Sequence, residues 1–260
     1  LDSEAFSDVR SHKYNDLTIR IPFLGGKELS IELEMFLPFA DGFQIGRTQA
    51  GGKFVEERYL PQLLSYRIVS PRMRGTIVFM KDHVVGTLQW NGQQYDISAL
   101  RQGENGRHVL FLLADAATPM EFECGVDEDG PKREVLPMGL QANSTNNPIT
   151  ECIEIALDID FHTYSTFGSD CYPAVEWALA LLAGVNTIYT NDLANLINIQ
   201  ASYIHVWETT DPYNGIVDDS GTMLDTFRVE WLTNPNLSSI QRDLIHLMTR
   251  RSNTGTGGIA

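Results

Sequence analysis

Apolar and polar positions alternate through most of the first half of the chain. "LTIRIPF" from Leu17 and "LSIELEMFL" from Leu29 follow a period near two, with Gly25 and Gly26 between them. That pattern predicts strands. "GTIVFMKDHVVGTLQWNGQQYDISAL" reads as further strands broken by turns. Asn91-Gly92 stands between Leu88–Trp90 and Tyr95–Ile97. Both residues tolerate the positive φ of a type I′ turn, so a hairpin is predicted there. "HVLFLLA" and "MEFEC" are predicted as two more strands. Residues 1–15 are polar and read as a ragged end, and Glu56–Leu64 reads as a short turn.

The pattern changes twice. "GVDEDGPKREVLPMGLQANSTNNP", from Gly125 to Pro148, has prolines, asparagines, charges and no period, which reads as a linker. Lys132-Arg133 within it is a dibasic pair that a protease could cut. Beyond it, "CIEIALDIDF" predicts a strand. "SDCYPAVEWALALLAGVNTIYTND" predicts a helix capped by Ser169 or Asp170, with Pro173 in its first turn. Val175, Leu179, Leu182, Val185 and Ile188 recur at helical spacing. "LINIQASYIHVWE" is a strand. "TMLDTFRVEWLTN" is a helix with Leu224, Phe227 and Trp231 on one face, and "RDLIHLMT" is a third strand.

Strands alone, then strands alternating with helices, predict an α+β fold. A β-rich domain over residues 1–130 is followed by an exposed linker over 131–148. A partial α/β domain over 149–260 carries a mixed sheet and two long helices. The last segment reads as the start of a strand at Ile259 that then stops, as if the chain were cut short.

Composition narrows the function classes. The 34 acidic residues outnumber the 19 basic ones, giving a formal net charge of −15. No basic stripe appears, so nucleic acid is excluded as a partner. No uninterrupted apolar run approaches the roughly 18 residues of a membrane span. The chain opens on Leu1 rather than Met, which fits removal of an upstream export signal. Three cysteines, Cys124, Cys152 and Cys171, are an odd number. Either Cys152 and Cys171 pair and Cys124 stays free, or all three are reduced.

No spacing identifies a catalytic site. There is no HExxH, CxxC, GxSxG, P-loop or GxGxxG. His205 and His246 lie in apolar strands and read as satisfied structural histidines. The acidic loop Asp211–Asp219 lacks the EF-hand order of ligands and reads as solvated.

The second half nevertheless resembles the N-terminal half of a reprolysin-type (adamalysin) metzincin catalytic domain, bacterial secreted relatives in particular. The residues that carry this are "CIEIALDIDFHTY", "AVEWALALLAGVNTIYTND", "LINIQASYIHVWETTDPYNG", "MLDTFRVEWL" and "QRDLIHLMTRRSNTGTGGIA". The first half is similar to the family's propeptide, with a Gly-rich strand pair ending in "GQQYDI" and then "ECGV". The resemblance implies a secreted zinc metalloendopeptidase precursor acting on protein or peptide substrates. It implies that HExxHxxGxxH lies beyond Ala260, so that this 260-residue piece holds no catalytic zinc and is inactive. Cys124 would be a latent ligand, its thiolate filling the open position that water takes on a catalytic zinc. Gly125 would let the backbone approach the metal. "MEFE" before Cys124 departs from the family's basic lead-in.

Two further roles follow from the same resemblance. Glu154 and Asp243 match ligands of a structural calcium. Gly257, Gly258, Ile259 and Ala260 match the start of the edge strand that pairs with substrate. A half-built domain would also expose apolar surface and self-associate. The alternative reading is a non-catalytic extracellular binding or protease-inhibitory module.

Overall fold

A computed structural model describes residues 2–100, 106–116, 151–193 and 196–254. Two sheets and four helices make an α+β fold, as the alternation of patterns predicts.

The first sheet is antiparallel throughout. Its strands are β1 (Asp16–Phe23), β2 (Lys27–Phe36), β5 (Leu64–Ile68), β6 (Met73–Phe79), β7 (Val84–Trp90), β8 (Gln93–Ala99) and β9 (His108–Leu112), adjacent in that order. Trp90 faces Gln93 across the predicted hairpin, and Asn91 and Gly92 take φ of 52° and 75°. Those angles are what a type I′ turn demands.

The second sheet is mixed. Its order is β12 (Leu244–Met248), β10 (Glu151–Ile159), β11 (Ile197–Trp207), β3 (Phe39–Gln49) and β4 (Lys53–Arg58). β12, β10, β11 and β3 are parallel, and β4 returns antiparallel to β3. The β3–β4 hairpin therefore carries part of the first half into the sheet of the second, across the boundary drawn at residue 130. Residues 56–64, read as a short helical turn, instead finish β4 and enter β5.

Helix α3 (Cys171–Asp192) lies between the sheets. The Asp170 side chain caps it by accepting from Tyr172 N. Val175, Leu179 and Leu182 are buried against strands of both sheets, whereas Val185 and Ile188 are exposed. By length and mean hydropathy α3 also qualifies as a membrane span. Its buried face, in contact with both sheets, is that of a core helix.

Two more helices cover the outer faces. α4 (Ser220–Thr233) packs Met223, Phe227 and Trp231 onto the far side of the second sheet. α1 (Ser3–His12) occupies the segment expected to be ragged. Asp2 caps it, Val9 is buried, and Phe6 stacks on Phe79 of the first sheet. A short helix, α2 (Phe161–Thr166), follows β10 directly.

Candidate functional site

Strand alternation sends successive residues of β10 to opposite faces. Leu157 and Ile159 enter the core around α3, and Asp158 points to the α4 side. The parallel register sets Asp158 directly against His205 of β11. His205 Nδ1 lies 2.9 Å from Asp158 Oδ1, and its Nε2 lies 2.9 Å from Thr48 Oγ1 of β3. Trp231 Nε1 of α4 donates to Asp158 Oδ2 at 2.8 Å, and Trp207 Nε1 donates to it at 3.3 Å. The Tyr213 hydroxyl donates to the same oxygen. Burial, then the charge of Asp158, pushes the Tyr213 phenol well above its ordinary range. Asp158 and His205 have no exposed surface.

A second carboxylate pair sits at the C-terminal ends of the parallel strands. Arg251 Nε lies 2.9 Å from Asp160 Oδ2, and Arg251 Nη2 lies 3.4 Å from Asp211 Oδ2. Asp160 also caps α2 by accepting from Thr163 N. Asp211 accepts the main-chain hydrogens of Phe161 and Tyr213. Burial raises the Asp211 carboxyl, and the hydrogen bond from Phe161 N opposes that shift. The exits of β10, β11 and β12 are thus tied to one guanidinium. The loop Asp211–Asp219, expected to be solvated, begins with a carboxylate only 5% exposed.

These groups are enclosed and bonded to one another. Their chemistry is positional: a carboxylate holding several donors fixes strands and helices in one arrangement. Ligands of open α/β sheets bind in the crevice beyond the strands' carboxyl ends, which the Arg251 cluster braces.

The sequence-derived candidates fall as follows. Glu154 and Asp243 come together: Asp243 Oδ2 accepts from Glu154 N, and Asp243 N donates to Glu154 O, both at 2.8 Å. The contact engages the Glu154 main chain rather than its carboxylate. Cys124, Gly257, Gly258, Ile259 and Ala260 lie outside the described residues, as do the predicted "MEFEC" strand and the Lys132-Arg133 pair. Cys152 is an exposed thiol at the start of β10, and Cys171 is a buried thiol opening α3. The suggested bond between them is corrected. Both are free thiols, Cys152 lying at the entry of β10 and Cys171 in α3, beyond the exit of that nine-residue strand. Burial pushes the Cys171 thiol up to about 11.

Among the described residues, no three His, Cys, Asp or Glu side chains converge to hold a metal ion. The described residues therefore supply no zinc centre. A polar groove of about 640 Å³ runs between the β3–β4 hairpin and the loop before β12, lined in part by Asp41, Glu56, Glu154 and Tyr203.

No family model matches the chain, and no curated protein matches it. Among solved structures, it is similar to the crystal structure of metalloproteinase-II from Bacteroides fragilis. That match has a TM-score of 0.49 and 11% identity, and covers 93% of this chain and 68% of the other.

Proposed function

We propose that this chain is the propeptide-like segment and the first part of the catalytic domain of a secreted zinc metalloendopeptidase precursor. One observation supports the reading above the others. β10, α3, β11, α4 and β12 follow the element order that the sequence resemblance implies, with β11, β10 and β12 adjacent and parallel. Among the described residues, β12 pairs only with β10, so its other edge is open to a further strand.

Zinc-bound water is the reagent such an enzyme supplies, and it is not assembled from these residues. The 260 residues contain no HExxH, so the reading requires the ligands to lie outside them. What this chain contributes is the scaffold: the α3 core, the Asp158 hub, and the Arg251 brace. Cys124 is proposed as the latch and Glu154 and Asp243 as part of a calcium site, with protein or peptide substrates and export as its setting.

Metal analysis of the purified 260-residue chain tests this reading. After zinc loading and dialysis, the chain retains no stoichiometric zinc. One tightly bound zinc per chain contradicts the reading.

A second reading, a non-catalytic binding module, is favoured by one feature. The β3–β4 hairpin already completes the second sheet beyond β11, and a polar groove opens beside it.

A further inference from the structure

The bonds that join residues before 117 to residues after 150 are numerous, and most are at least partly buried. Gln44–Thr48 of β3 runs in parallel register with Tyr203–Trp207 of β11. Glu208, just past β11, accepts from Arg47 at 3.2 Å and from Gln49 at 2.8 Å. Glu176 of α3 accepts from Tyr59 Oη at 2.7 Å and from Gln62 N and Leu63 N at 2.6 and 2.8 Å. Thr76 of β6 donates to Thr187 of α3 at 2.7 Å, and both side chains are buried.

The apolar interior is shared in the same way. Phe43, Ile45, Leu63, Val78 and Met80 from the first half lie in one cluster with Leu157, Val175, Leu179 and Ile204 from the second. β3 is not an edge strand, because β4 covers its far side. Taking the first half away would open the β11 edge and both the α3 and sheet surfaces at once. Main-chain pairing of this kind supplies affinity, and the shared core adds apolar burial to it.

We propose that the first half is a permanent strand donor to the second. After a cut anywhere between residues 117 and 150, the two pieces remain one folded unit. This goes beyond the precursor reading and rests on it in one respect only. If Cys124 is the latch, activation works by displacing Cys124 locally rather than by releasing the whole N-terminal half.

The test uses the full chain with a site-specific protease sequence inserted between Gly130 and Pro131. After cutting, size-exclusion chromatography under native conditions is run over a dilution series. Both pieces elute together at the position of the uncut 29.1 kDa protein and separate only in denaturant. Two separate native peaks overturn the proposal. A second variant locates the bond. A Cβ at Gly46 would lie 1.9 Å from Tyr203 Oη, which crosses β3 there. In the cut chain, Gly46→Val raises the dissociation constant of the pieces at least about tenfold. An unchanged constant refutes the strand-donor role of β3. Neither readout involves zinc or peptidase activity, so failure here and failure of the precursor reading are distinguishable.

Discussion

Asp158 of β10 and His205 of β11 face each other across a parallel ladder at 2.9 Å, both with fully buried side chains. Two tryptophans and Tyr213 converge on the other carboxylate oxygen. Asp158→Asn puts an amide nitrogen among donors and removes the charge they share. The expected loss is about 3 kcal/mol of unfolding free energy in urea, the scale for breaking a buried charged network. A loss under about 1 kcal/mol would mean the hub is not what holds α4 to the sheet.

Glu176→Ala removes one carboxylate that receives two main-chain hydrogens and a phenol from the β4–β5 connection. The loss is about 2 kcal/mol, in the range for hydrogen bonds to a charged acceptor. Amide exchange at Gln62 and Leu63 should quicken more than exchange within β6 or β7. Uniform quickening would contradict a local clamp.

His108 gives the fold a pH dependence. Its Nε2 accepts the main-chain hydrogen of Val84 at 2.8 Å, and its Nδ1 lies 3.1 Å from Gly106 O. That pairing needs a neutral ring, and burial lowers its value below the usual 6.5. Between the lowered folded value and 6.5 the unfolded chain binds more protons. Stability from this group is therefore full above 6.5 and declines as pH falls toward the folded value. In His108→Gln the side-chain oxygen can still accept from Val84, and the titration is gone. The urea midpoint of the variant should change less between pH 7.5 and 5.5 than that of the wild type, a window set by the ordinary histidine range. Equal slopes would exclude His108 as the source.

The two described thiols should react very differently. Cys152 is exposed and Cys171 is buried with its thiol pushed up to about 11. Only the thiolate is the nucleophile. Iodoacetamide on the native protein should label Cys152 and spare Cys171, which labels once urea is added. Equal labelling in the native state would contradict the burial of Cys171.

Local signals made much of this fold legible. Asp170 with Pro173 and a helical period marks α3, and Asn91-Gly92 marks the β7–β8 hairpin. What escaped was non-local. Nothing in "FADGFQIGRTQ" says that it pairs with a strand some 160 residues later. Nor does that stretch mark Gly46 as the place where the Tyr203 ring crosses the strand. The burial of Asp158 and Asp160 had no local signal because their partners, Trp231 and Arg251, lie about 70 to 90 residues away. The α1 helix was missed because its ten residues are mostly polar and bury only Val9. The buried Asp160–Arg251–Asp211 cluster had no local signal.

The most direct test of the precursor reading is the coding sequence beyond the codon for Ala260. The reading predicts HExxHxxGxxH within roughly a hundred codons, the distance a zincin fold allows. A stop codon directly after Ala260 would contradict it and leave the binding-module reading in its place.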